Sequence, residues 1–286
     1  MLAARRRERR HGEVRARFSL LLPALVLTGV AQVGCARALR EPPALLDLGG
    51  GGVTARPERV PPLLERANLL YAARNLPEVR EAGKVWLEAA RADMTRVEGL
   101  EGAARSYVWL TEHETDATAR QSAATLAVNA AQWCERIKPA SATCVYWMGA
   151  ALGVQAREKQ STALDALPRI EDAFKRAATA DPMIEHAGPD RALALLYLRA
   201  PGWPTGPGDP DLGLEHARKA VALAPDYPPN DLALGEALVA TEDMQGARGA
   251  YERALEKARR QADTGEPDAG EWIRQAGDAL TGILKH

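Results

Sequence analysis

Residues 230–260, NDLALGEALVATEDMQGARGAYERALEKARR, carry an apolar spacing that two helices packed face to face can bury. Leu234, Gly235 and Leu238 fall on one face of a first helix, and Ala247, Tyr251 and Ala254 follow at the spacing of a second. Gly235, Ala247 and Ala254 are small enough to allow close approach, while Leu234, Leu238 and Tyr251 fill the space between. Such a pair cannot cover its own apolar face, so a neighbouring pair has to do it, and one unit predicts a stack. Stacked pairs curve, and the inner surface becomes a concave place to hold something.

The unit resembles the tetratricopeptide repeat, a helix–turn–helix of about 34 residues, and related spacing recurs upstream. Residues 63–74 pair with 76–92 through Ala67, Tyr71, Ala82, Trp86 and Ala89. Residues 98–111 pair with 116–137 through Tyr107, Leu110, Ala127 and Ala131. A third pair starts near Ser141 with Met148, Gly149 and Leu152, continues with Ile170, Phe174 and Ala177, and ends at Asp181-Pro182. The fourth starts at Gly188 with Leu193, Ala194 and Tyr197, resumes at Asp211 with Gly213, Ala217 and Ala220, and ends at Pro225. Residues 269–284, with Trp272, Ile273 and Leu280, read as a capping helix. The expected fold is therefore all-α: a tetratricopeptide-repeat-type solenoid over residues 63–286, rich in the strong helix formers Ala, Leu, Glu and Arg. The third pair is about nine residues longer than the standard unit, which reads most simply as a longer first helix. The fourth carries an insertion, APGWPTGPGDP, over residues 200–210, whose prolines and glycines leave room only for a loop.

The beginning of the chain reads as an export signal. Residues 1–17 hold seven Arg and two Glu, and an apolar run follows from Phe18 to Val33. The run is shorter than the roughly 20 apolar residues a membrane-spanning helix needs, and it ends at small residues as a secretory leader does. Gln32-Val33-Gly34-Cys35 resembles a bacterial lipobox, in which Cys35 is acylated and becomes the new N-terminus; Gln32 stands where an aliphatic residue is usual. Ala36 follows the cysteine rather than the Asp of inner-membrane retention, which favours the outer membrane. The expectation is a leader over 1–34 and a lipid-anchored periplasmic protein. The whole chain is −1; the first 34 residues, with seven Arg against two Glu, are +5, which leaves −6 for the remainder. That balance offers no footprint for nucleic acid.

Residues 35–62 hold Pro42, Pro43, Pro57, Pro61, Pro62 and the glycine run 49–52, and read as a flexible tether. The stretch LLDLGGGGV over 45–53 resembles a nucleotide-binding glycine loop only superficially, because prolines interrupt the helix that would have to follow. Cys134 and Cys144 remain, on CERIKPASATC, a helix end, a turn and a helix start. In an oxidising compartment they read either as a disulfide closing a small loop or as two buried thiols, with the disulfide favoured.

A connected series then resembles a particular family. It runs Gly188-Pro189-Asp190-Arg191-Ala192-Leu193, Tyr197-Leu198-Arg199-Ala200-Pro201-Gly202-Trp203-Pro204, Gly208-Asp209, His216 and Ala220, and Ala224-Pro225-Asp226-Tyr227-Pro228-Pro229-Asn230. It is similar to the T-component of tripartite ATP-independent periplasmic (TRAP) transporters, a helical-repeat lipoprotein family. The likeness is best over residues 140–258. It implies a non-enzymatic accessory protein that associates with a periplasmic solute-binding protein and forms homo-oligomers around an apolar channel.

In such repeats the first helix of each pair faces inward. On the third to fifth pairs that frame puts Tyr146, Ala150, Val154, Arg191, Leu195, Leu198, Arg199, Leu232 and Glu236 on the inner wall. Two guanidinium groups on an apolar wall suit a small organic acid or another apolar ligand, because Arg holds a carboxylate bidentately; Arg191 reads equally as a structural ion pair or cap. Trp203 either folds back onto the stack or lines the site. Metal-ligand and nucleophile motifs are missing from the sequence, so no metal, cofactor or catalytic residue is expected, and the chain reads as a binding protein rather than an enzyme. A protein-binding scaffold for an envelope complex is the alternative to the transport accessory.

Overall fold

A computed structural model describes residues 37–48 and 56–283 of the chain. The leader over 1–34, Cys35 with its lipobox, and the glycine run 49–52 lie outside the described residues. Among the described residues eleven α-helices follow one another: α1 (Val60–Ala72), α2 (Leu76–Ala92), α3 (Glu98–His113), α4 (Ala117–Ile137), α5 (Ala142–Glu158), α6 (Gln160–Ala180), α7 (Gly188–Arg199), α8 (Pro210–Leu223), α9 (Pro228–Ala240), α10 (Met244–Asp263) and α11 (Ala269–Ile283). No named strand occurs among the described residues. The fold is an all-α tetratricopeptide-type solenoid of five helix pairs and a terminal helix.

Local chemistry explains the boundaries. Asn75, Asp116, Ser141, Asp209 and Asp243 each accept a hydrogen bond from a backbone N–H in the first turn of the helix they precede, satisfying donors that would otherwise lack partners. Prolines stand in the first turns of α1, α2, α7, α8 and α9, where a missing N–H breaks no helical bond. Pro61 and Pro62, read as tether, are therefore the opening of α1.

Two further expectations change. The segment 35–62 is not a free tether over 37–48, because the outer helices offer it partners. Ala38 N donates to Asp165 Oδ2 on α6 at 2.8 Å, Trp133 Nε1 on α4 donates to the Pro43 carbonyl at 2.9 Å, and Arg136 grips Glu41 at 2.7 and 2.9 Å. Arg91 on α2 reaches the Leu48 carbonyl, and Leu45 and Leu48 are buried. Residues 37–48 thus form a strap across three successive outer helices. The extra length of the third pair, in turn, does not sit only in its first helix. Lys159 alone separates α5 from α6, and α6 runs for 21 residues with Pro168 inside it, unable to donate to the Leu164 carbonyl. The start of α6 overhangs the inner surface.

Cys134, at the end of α4, is joined to Cys144, at the start of α5, with the sulfurs 2.03 Å and the Cα atoms 5.4 Å apart. The two ends of the solenoid also meet: Arg74 Nε, in the α1–α2 turn, lies 2.9 Å from Asp268 Oδ2, before α11.

Candidate binding groove

The inner surface holds a groove of about 740 Å³ lined by α3, α5, α6 and α7, within the usual size of a small-molecule site. On α3 its stripe is Arg105, Val108, Trp109 and Glu112, at the i, i+3, i+4, i+7 spacing of one helix face. On α5 it includes Tyr146, Trp147, Ala150, Gly153, Val154 and Arg157, and on α7 Arg191, Leu195 and Arg199. Polar side chains gather at the two ends and apolar ones between them. One end carries Arg105, Tyr146, Glu185 and Arg191; the other carries Glu112, Arg157 and Arg199. From Arg191 to Arg199 the helical rise makes the groove about 12 Å long.

Both departures from a regular repeat meet at the second end. Gln160, Ala163, Leu164 and Leu167, from the overhanging start of α6, line it, as do Ala200 and Pro201 from the inserted loop. A Cβ on Gly206 would stand 3.0 Å from Leu167, so loop and helix are in contact. Leu164 is 59% exposed there, and a substituent at Gly153 would meet open space.

The predicted wall residues divide. Tyr146, Ala150, Val154, Arg191, Leu195 and Arg199 do line the groove. Leu198 instead packs against the backbone face of Gly213, and Leu232 packs between α9 and the terminal helix. Glu236 lies outside the lining and receives two hydrogen bonds from Arg199, both 2.7 Å. Trp203 neither folds back nor lines the site: it stands 90% exposed, at the second position of the turn closed by Thr205 N donating to the Gly202 carbonyl.

The two arginines expected to hold a carboxylate are already engaged. Arg199 is paired with Glu236. Arg191 Nη1 donates to the His186 carbonyl at 3.0 Å and to Asn230 Oδ1 at 2.8 Å, and Nη2 donates to the Glu185 carbonyl at 3.1 Å. The reason lies in the backbone: Glu185, His186 and Ala187 take φ of 47°, 57° and 63°, a left-handed run that costs non-glycine residues on the order of 1 kcal/mol or more each. Arg191 and buried Asn230 hold that turn together, so the structural role is the one the geometry gives Arg191.

Arg105, absent from the expected wall, is the cation left over. It makes no hydrogen bond among the described residues, and its nearest carboxylate oxygen, Glu185 Oε1, is 3.9 Å away, beyond hydrogen-bond reach. Its Nε is buried without a partner, and its guanidinium lies 4.5 Å from the Tyr71 ring centroid and 5.2 Å from that of Trp86. Trp109 Nε1, also on the groove wall, is buried without a partner too. Burial pushes Tyr71 up to about 12 and raises Tyr146 as well, so both phenols stay protonated at neutral pH. The helical stripe through Arg105 and Trp109 is readable in the sequence once the inward frame is extended from the third to fifth pairs to the second.

Glu101, Cys134 and Cys144 are the one group of possible metal ligands among the described residues. The two sulfurs are bonded to each other, which removes both as metal donors.

Comparison with known proteins agrees with the fold. The solved structure of TTC0263, a thermophilic TPR protein of Thermus thermophilus, is 18% identical, covers 78% of this chain and 99% of its own, and superposes with a TM-score of 0.59. Two structures of MamA are also similar, at 17% and 19% identity, covering 73% and 65% of this chain and 96% and 92% of theirs, with TM-scores of 0.45 and 0.43. No protein-family model and no curated protein matches the chain. The likeness to TTC0263 is one of fold.

Proposed function

We propose that this chain is a non-catalytic binding scaffold, anchored in the periplasm by a lipid on Cys35, whose groove receives an apolar element. The observation that carries this is the groove itself. An apolar middle lies between polar ends, and α6 and the 200–210 loop, the two places where the chain departs from a regular repeat, both border it. Concave repeat surfaces characteristically bind other proteins. A protein partner is the reading that the fold supports, and the leader read over residues 1–34 supports one belonging to an envelope complex. The motif series over 188–230 supports a narrower one, an accessory of a TRAP-type transporter, with a periplasmic solute-binding protein as partner and an organic acid or apolar molecule in the groove. Ala36 after Cys35, in place of the Asp of inner-membrane retention, supports the outer membrane as the site.

The test is a pull-down from the native envelope with the wild-type chain and with Gly153→Trp. A Cβ at Gly153 meets no heavy atom within 4 Å, so the substituted side chain starts out into open groove space. A partner recovered by the wild type and lost by the variant is expected. A solute-binding protein with its permease would support the transport reading, and assembly factors would support the general scaffold. A partner held equally by both would remove the groove from the function.

A further inference from the structure

We infer that the groove takes a free monocarboxylic acid with an apolar body, and that Arg105 is the residue that holds its carboxylate. This rests on the groove being a binding site and names its ligand class. Arg105 lines the polar end of the groove, has no hydrogen-bond partner among the described residues, and carries a buried Nε with nothing to donate to. A guanidinium is a fork of five donors matched to a carboxylate, and a buried donor left unmet is costly. The other cations of the groove, Arg157, Arg191 and Arg199, are hydrogen-bonded to Glu112, to the 185–186 turn with Asn230, and to Glu236. From Arg105 the wall turns apolar through Val108, Trp109, Ala150, Val154 and Leu195, a surface suited to an alkyl or aryl body. Stacking on Tyr71 and Trp86 holds the guanidinium in place before any ligand arrives.

Calorimetric titration with dodecanoate, against dodecanol of equal chain length, tests this. Dodecanoate is expected to bind about tenfold or more tightly than dodecanol, as a charge-assisted hydrogen bond gives. Arg105→Met should remove that margin and leave dodecanol unchanged, and Arg105→Lys should restore part of it. The acid-against-alcohol comparison on the wild-type chain stands even if Arg105→Met fails to fold. Equal binding of acid and alcohol, or a margin that survives in Arg105→Met, would overturn the inference. Binding of neither would overturn it too, while a partner retained in the envelope pull-down would keep the groove as a protein site. Arg105-dependent binding of an apolar peptide with a free C-terminus, lost on amidation and without any dodecanoate binding, would reassign the carboxylate to a protein partner.

Discussion

The front and back of the solenoid use one repeat but hold it together differently. From the strap through α6 a single continuous apolar core runs from Ala38 to Ala177 and takes in Leu193 and Tyr197 of α7. Large rings press on glycines in both halves: a Cβ on Gly102 would stand 2.3 Å from the Trp86 ring, and one on Gly235, behind, would stand 2.4 Å from Tyr251. Behind α7 the core breaks into three small clusters built largely of alanine. Buried charge takes over as the fastening. Asp190 accepts from His216 at 2.8 Å and Lys219 at 3.1 Å, and Asp231 is gripped by Arg253 and Lys257; both carboxylates are 0% exposed. Asp190 and Asp231 stand three residues before Leu193 and Leu234, and the same place before Met148 is Val145, an apolar core residue. One register position is thus filled by dispersion in front and by an ion pair behind. The lesson is that alanine-rich helix pairs, with little apolar area to bury, take their orientation from charges placed near helix starts, where the dipole favours them.

The comparison breaks most sharply at Asp231. Asp231→Ala leaves Lys257 and Arg253 without their partner and should cost about 3–5 kcal/mol in urea unfolding. Asp231→Val with Lys257→Leu, which installs the chemistry of Val145, should recover most of that loss; a double variant as weak as the single one would show the charge to be irreplaceable. In front, Gly102→Ala should cost about 1–3 kcal/mol by crowding Trp86, a loss that shaving the ring would relieve. Acid separates the halves more gently. Burial alone would raise Asp190, but hydrogen bonds from His216 and Lys219 outweigh it and hold its carboxyl below the usual value. The unfolded chain then binds that proton first, so the contribution is fully present above the ordinary Asp value of about 3.9 and lost as pH falls through the lower folded value. Unfolding followed by pH should lose this acid dependence in Asp190→Asn. Trp203→Ala should change stability by less than about 0.5 kcal/mol, because an exposed ring has no packing to lose.

Most of the architecture was legible because local signals carry it. Capping side chains at Asn75, Asp116 and Ser141, prolines in first turns, and the small–large spacing of Gly235 with Tyr251 place helices to within a few residues. The strap was not legible, since a Pro-rich segment reads as unstructured until Trp133, Arg136 and Asp165 are brought beneath it. The groove was half legible. Helical periodicity identifies which side chains face inward, as it did for Tyr146 and Leu195, but not which cations are already engaged. Arg191 is committed to a left-handed turn that no residue type announces, because Glu185, His186 and Ala187 are all non-glycine. Arg105 stands out only once every neighbouring carboxylate has been located.

The central claim is that the groove bordered by Arg105, Gly153 and Leu195 is occupied in the working protein. Native mass spectrometry of the chain purified from its own envelope, wild type beside Gly153→Trp, tests it most directly. A bound species on the wild type that is missing from the variant is the expected result. An empty wild type, or the same species on both, would contradict it.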